Sequence, residues 1–375
     1  MKKNIIFLLC FLTLLSCGRN RANDKSTAPA TQTDTLLYAK GLSIDRCDGY
    51  ISVTVRNPWD TLSILERYLL VDRNNPLPAG LPQGTVVKVP VERASVYTSV
   101  HASMMEQLGC IDALIGVCEP EYITSPEILK RIQNGSIADL GLATAPNVEK
   151  MIDIDTDVII ASPYENSGFG AAEKLGIPII QAADYMECHP LGRTEWVKFF
   201  SLLFCKSSVG DAIFNDTASH YLELRSMASE SQHRPTVLLE RKYGGSWFVP
   251  SGASYIGYLH SDAGAQYLYG NTTSASSIPL SFESVLDFAS DAEFWLMKYA
   301  SDSPFTYEDL RKEYPLYAEF DAFKRRNIYV CNTLTTKYYE DITLHPDLVL
   351  EDLVAIYHPE LLPEHGFRYY LPMQY

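Results

Sequence analysis

The sequence predicts an α/β fold in two lobes, each a mostly parallel sheet covered by helices, joined by a long connecting helix. Three observations carry that expectation. From Arg93 onward, short apolar runs alternate with helical stretches across Gly and Pro punctuation, the pattern of parallel strands with helical crossovers. Between Pro190 and about Glu230 the alternation stops, and Trp196, Phe199, Phe200, Leu203, Ile213, Phe214, Tyr221 and Leu224 recur at three- and four-residue steps, the period of one helix or a pair. At Thr236-Val-Leu-Leu-Glu240 the alternation restarts. A continuous helix over the middle span would approach about 50 Å, long enough to connect two lobes as a beam.

In chain order, Lys2 and Lys3 precede an apolar stretch from Ile5 to Leu15 that ends at Ser16-Cys17. That stretch spans about 16 Å as a helix, roughly half a hydrocarbon core, so it reads as a signal h-region and not as a spanning helix. Ser16 before Cys17 resembles a bacterial lipobox. The expectation is a signal peptide over 1–16, a lipidated Cys17 as first mature residue, and a polar tether over 17–34. The chain would then be anchored, not spanning, on the periplasmic side of a bacterial membrane, with the leaflet left open. Residues 35–92 read as a β-rich extension, with Tyr50-Ile-Ser-Val-Thr-Val55 and Thr85-Val-Val-Lys-Val89 as strands added at the front of the first domain. The first lobe covers 93–189, with strands at Ser95–Ser99, Ala113–Val117, Asp157–Ala161 and Ile177–Ile180. Between them fall helices at His101–Leu108, Asn147–Ile152 and Gly170–Leu175. The connecting helix covers 190–230 and the second lobe 231–375, with strands at Thr236–Glu240, Glu293–Met297 and Asn327–Val330.

Composition removes several functions. A net charge of −15 over 375 residues, without a local basic stripe, argues against a nucleic-acid backbone as partner. Beyond Cys10 and Cys17, the six cysteines are scattered without a CxxC pair, so no zinc ribbon or thioredoxin motif is present and no disulfide can be assigned. There is no Walker A sequence, no GxSxG elbow and no HExxH. Ser167-Gly168-Phe-Gly170 begins like a dinucleotide fingerprint, but Glu173 stands where a third small residue belongs. His358, Glu364 and His365 are separated by Pro359 and Pro363, which break any helix that could align them on a metal. No catalytic residue, metal site or cofactor is expected.

An internal repeat flanks the beam. Pro146-Asn147-Val148-Glu149 runs on to Asp153 and Asp157, and Pro279-Leu-Ser281-Phe282-Glu283 runs on to Asp287 and Asp291, with the same spacing from Glu to both Asp residues. Each copy places a Glu at the second position of a capped helix. One such Glu is ordinarily explained by the helix dipole. Two in matching places would put one exposed carboxylate on each lobe, suited to paired cationic sockets on a partner.

These residues resemble a known family. Ser103-Met-Met-Glu-Gln-Leu-Gly109, Ala145-Pro-Asn-Val-Glu149, Ser162-Pro-Tyr-Glu-Asn166, Lys174-Leu-Gly-Ile-Pro178 and the helical run after Gly192-Arg193 resemble the class III periplasmic binding proteins that deliver ferric siderophores, haem or cobalamin to ABC importers. The likeness runs from Arg93 to the C-terminus. It implies two Rossmann-like lobes, a rigid connecting helix, a ligand cleft between the lobes, and Glu149 and Glu283 docking onto arginines of a permease dimer. The extension before Arg93 has no counterpart in it.

Ligands of open α/β sheets sit beyond the carboxyl ends of strands. The residues there are Tyr97; Tyr164, Glu165 and Asn166; Tyr185, Met186 and His189; then Arg241, Lys242, Tyr243, Trp247 and Tyr255, followed by Tyr299, Asn332 and Thr333, with Arg193 opening the beam. Together they describe an aromatic, hydroxyl-bearing cleft with Arg193, Arg241 and Lys242 available to anionic groups. A ferric siderophore or haem is the expected ligand, with Tyr97 or His189 able to ligate a haem iron. Cobalamin is the alternative within the family, and a surface enzyme on the same scaffold is the rival of another class.

Overall fold

The computed structural model describes residues 32–60 and 62–375. The expected signal peptide, Cys17 and the tether before Gln32 lie outside those residues. The fold is α/β with parallel sheets and helices, as expected. The first lobe has five parallel strands in the order Ile179–Gln181, Val158–Ala161, Ala94–Val96, Leu114–Val117, Ala138–Asp139. The second orders Gln266–Tyr267, Thr236–Leu239, Phe294–Tyr299, Ile328–Asn332 and Tyr370–Pro372, parallel except for the last pair. The inner strands Val158–Ala161 and Thr236–Leu239 are short, apolar and buried, as strands covered on both faces must be. A three-stranded antiparallel sheet, Lys242–Tyr243, Ser246–Val249 and Ile278–Leu280, sits beside the second lobe's main sheet.

The segment between the lobes is three helices where one or two were expected: Pro190–Glu195, Val197–Leu203 and Ser207–Ser229. The second ends where Cys205 takes a left-handed φ of 55°, and the third turns back against it. A side chain at Gly210 would place its Cβ 2.5 Å from Ser201, so glycine permits this close crossing. The continuous beam is therefore the 23-residue helix Ser207–Ser229, about 35 Å long. It is tied to the second lobe by the Tyr221 hydroxyl, which donates to Asp262 at 2.7 Å, and by Thr217 donating to the Leu344 carbonyl at 3.1 Å.

The extension differs more from expectation. Its strands do not join the first lobe's sheet. Gln32–Thr33, Leu42–Cys47, Tyr50–Arg56, Ile64–Asp72 and Thr85–Val89 form a sheet of their own, antiparallel except for its last pair. The expected tether also ends earlier than residue 34: Thr33 pairs with Asp45, and Asp34 holds Arg46 at 2.8 Å. Tyr68 stitches this sheet to the first lobe, its buried hydroxyl donating to the Ile179 carbonyl at 2.9 Å and accepting from Gln181 N–H at 2.6 Å. Residues from the extension, the first lobe, the connecting helices and the second lobe share one continuous core.

Two buried carboxylates grip the chain between the extension's first two strands. Glu195, fully buried, accepts from the backbone N–H of Leu37, Tyr38 and Ala39 at 2.9, 2.7 and 2.9 Å. Glu187 accepts from Lys40 and Gly41 N–H at 3.0 and 2.8 Å and from the Trp196 indole at 3.1 Å. Buried carboxylates persist where donors replace their lost hydration, and five backbone donors do so here. The approach is close enough that a Cβ on Gly192 would lie 3.0 Å from the Tyr38 carbonyl oxygen.

Candidate ligand-binding cleft

A cavity of about 630 Å³ opens beside the connecting helices. The first connecting helix and the loop before it form one wall, and the strand ends of the second lobe form the other. The structure brings nine of the expected residues to it: Tyr185, Met186, Arg193, Arg241, Lys242, Tyr243, Tyr255, Tyr299 and Thr333. A second chamber of about 290 Å³ holds Tyr97 and Tyr164 and shares Thr333 and Tyr339 with the first. The Tyr164 and Tyr185 rings lie 6.2 Å apart, one from each chamber.

The cations are not equivalent. Lys298 pairs with Glu240, and both line the larger chamber. Burial alone would lower the Lys298 ammonium, but the adjacent Glu240 carboxylate outweighs it and raises the group. Glu240 reaches this position from a left-handed φ of 60° at the end of Thr236–Leu239. Arg241 is taken by Glu313, with Nε at 3.0 and 3.2 Å from its oxygens. Arg193 and Lys242 have no carboxylate partner among the described residues. The Arg193 guanidinium lies 4.0 Å from the centroid of Tyr255, and its Nη2 donates to the Tyr185 carbonyl at 2.6 Å. Its buried Nε has no hydrogen-bond partner among the described residues. Lys242 Nζ lies 4.8 Å from the Tyr314 ring. Burial, then the neighbouring Tyr164 and Asp184, push the Tyr185 phenol up to about 12, so it is a neutral hydroxyl at any physiological pH.

Other expected residues fall elsewhere. Trp247 does not line the cleft: it is fully buried, donates to the Leu239 carbonyl at 3.0 Å and stacks on Trp295 at 5.6 Å. The strand Ser246–Val249 alternates, so Phe248 faces the cavity instead. Glu165 and Asn166 are exposed and line neither chamber. His189 caps the helix Pro190–Glu195, its Nδ1 accepting from Leu191 N–H at 3.1 Å, and its ring stacks on Tyr38 at 5.1 Å. That use of the ring leaves it outside the larger cavity. Asn332 lines a separate pocket. Sequence reasoning missed Lys298, Glu240 and Tyr339; a lysine closing the apolar strand Phe294–Tyr299 was the signal for the first.

Glu149 and Glu283 are both exposed at the second position of their helices, Val148–Asp153 and Phe282–Ala289. Asn147 and Ser281 cap them, accepting from Lys150 and Ser284 N–H at 3.0 and 3.1 Å. The downstream Asp residues diverge in use. Asp157 pairs with Arg73 of the extension, whereas Asp291 is exposed without an ion pair among the described residues.

The sequence profile of the periplasmic binding protein family matches residues 115–333. An uncharacterized lipoprotein of Methanocaldococcus jannaschii is 26% identical over 366 aligned residues, covering 90% of this chain and 85% of its own length. Among solved structures, an ABC-type Fe3+-hydroxamate transport system protein from Saccharomonospora viridis aligns with 72% of this chain and 94% of its own, at a TM-score of 0.56 and 16% identity. IsdE of S. aureus, complexed with heme, aligns over 71% and 98% at a TM-score of 0.54 and 17% identity. At these identities the structural likeness is one of fold.

Proposed function

This chain belongs to the periplasmic binding protein family, and from that premise we propose that it captures a bulky iron chelate, a ferric siderophore or haem, and delivers it to an ABC permease dimer without chemistry on the ligand. One observation carries the ligand class. A cavity of about 630 Å³, lined by Tyr185, Tyr255 and Tyr299, holds two cations, Arg193 and Lys242, that no carboxylate among the described residues neutralises. Aromatic faces and uncompensated positive charge suit a large ligand with planar or oxygen-rich anionic faces. Glu149 and Glu283 are the docking carboxylates, one on each lobe. Lipid on Cys17 would hold the protein at the membrane through a tether that ends where the extension's sheet begins. A relative named as a lipoprotein supports that anchor.

A helix resists bending where flexible crossovers would not, so opening and closing of the cleft is small. The test is tryptophan-fluorescence titration of the purified protein with ferric enterobactin, ferrioxamine B, haemin and cobalamin. Saturable quenching by an iron complex is expected. Response to cobalamin alone would replace the iron chelate with a corrinoid, and silence toward all four would overturn the reading.

A further inference from the structure

The two chambers carry opposite charge. The smaller one is lined by Glu119, Glu121 and Glu340, and no Lys, Arg or His lines it. None of these three carboxylates forms an ion pair among the described residues. Glu340 is buried and spends both oxygens on Thr124, through its N–H at 2.8 Å and its hydroxyl. Glu119 sits at a left-handed φ of 51° at the end of the strand Leu114–Val117, with one oxygen accepting from Ala143 N–H at 3.2 Å. Its other oxygen and the exposed Glu121 remain available. A second observation points independently to a ligand. Tyr97 is 5% exposed and lines this chamber, yet its hydroxyl has no partner among the described residues. A buried hydroxyl without a partner is unfavourable, and a small shift of the ring toward the chamber would let a ligand supply one.

The geometry points to a bipolar ligand: an iron chelate whose negative oxygens face Arg193 and Lys242 while a cationic arm, an ammonium or guanidinium, enters the chamber of Tyr97, Glu119 and Glu121. This deepens the iron-chelate reading and rests on it. The two chambers adjoin, with Thr333 and Tyr339 lining both, so the core and the arm of one molecule would lie on either side of those two residues. Burial and the neighbouring Cys118 raise the Tyr97 phenol, so beside a cationic arm it is a neutral hydroxyl. A ferric trihydroxamate core is neutral, with its oxygens as negative poles, so a single ammonium on its arm isolates the effect sought.

The test compares ferrioxamine B, which carries one terminal ammonium, with its N-acetyl derivative, by fluorescence titration of the full chain. Wild-type protein should bind ferrioxamine B at least tenfold more tightly, and E119Q/E121Q should bring the two within about twofold. Equal affinities in the wild type, or a preference that survives in the double variant, would overturn the polarity assignment alone. Haemin or ferric enterobactin binding without either trihydroxamate would also overturn it. Failure of every iron complex would instead overturn the function proposed above.

Discussion

Replacing Glu195 with Gln should release the extension from the connecting helices. The change keeps the side chain's size, so it creates no cavity. It removes the charge and converts one accepting oxygen into an NH2 group. In the native protein one oxygen accepts from Tyr38 and Ala39 N–H and the other from Leu37 N–H and from Lys198 Nζ at 3.3 Å. With the amide oxygen turned toward Tyr38 and Ala39, those two bonds fall from charge-assisted to neutral strength, a loss of about 1 kcal/mol each. The Leu37 N–H then faces another donor, which costs about 1 kcal/mol more, the low end for a lost bond because Leu37 itself is exposed. The whole effect is about 3 kcal/mol, roughly a hundredfold in an opening equilibrium. Hydrogen exchange reads it locally: the amides of residues 37–39 should lose about two orders of magnitude of protection, while amides of the second-lobe strand Phe294–Tyr299 should change far less. Protection at 37–39 within tenfold of wild type would refute the view that the Glu195 charge holds residues 37–39 in place.

Three further outcomes follow from the site and the core. Arg193→Gln should weaken iron-chelate binding by roughly ten- to a hundredfold, since a charge-assisted contact and the face of Tyr255 are lost together; unchanged affinity would remove Arg193 from the site. Glu149→Arg with Glu283→Arg should abolish stimulation of permease ATPase activity in proteoliposomes and leave ligand affinity unaltered, because both residues are exposed and neither lines a chamber. Burial, with Lys298 nearby, lowers His260 to about 3, its Nδ1 lying 2.6 Å from the Tyr357 hydroxyl. Below about pH 6.5 the unfolded chain therefore takes up a proton that the native state refuses, and stability declines as pH falls from 6.5 toward 3. Near pH 4.5 this site contributes a loss of about 2–3 kcal/mol, and His260→Gln should flatten the urea midpoint against pH by about that much. An identical slope in the variant would contradict the assignment.

Much of the fold was legible because its signals are local. Asn147 and Ser281 accept bonds three residues away, and the strands Val158–Ala161 and Thr236–Leu239 are continuous apolar runs. Where the reading failed, the deciding contact was distant or the phase was off by one. Trp247 and Phe248 are neighbours, and the pairing of Trp247 with Leu280 and Phe248 with Pro279 settles which ring enters the core. The connecting segment has unbroken helical periodicity, and it is divided at the left-handed Cys205, where Lys206 N–H donates to the Ser201 carbonyl at 2.7 Å and the next helix packs closely through Gly210.

The sequence by itself determined the strand-and-helix alternation, the two capped helices that present Glu149 and Glu283, and the gathering of tyrosines at strand ends, all set by hydrogen bonds and periodicities a few residues long. Tertiary structure alone decided which charges in the cleft are free. Arg241 and Lys298 are neutralised by Glu313 and Glu240, 72 and 58 residues away in the chain, leaving Arg193 and Lys242. It also decided that the front extension is part of the core, through Glu195 bonds that reach back more than 150 residues. Electrostatic pairing depends on distance in space, and no spacing along the chain encodes it.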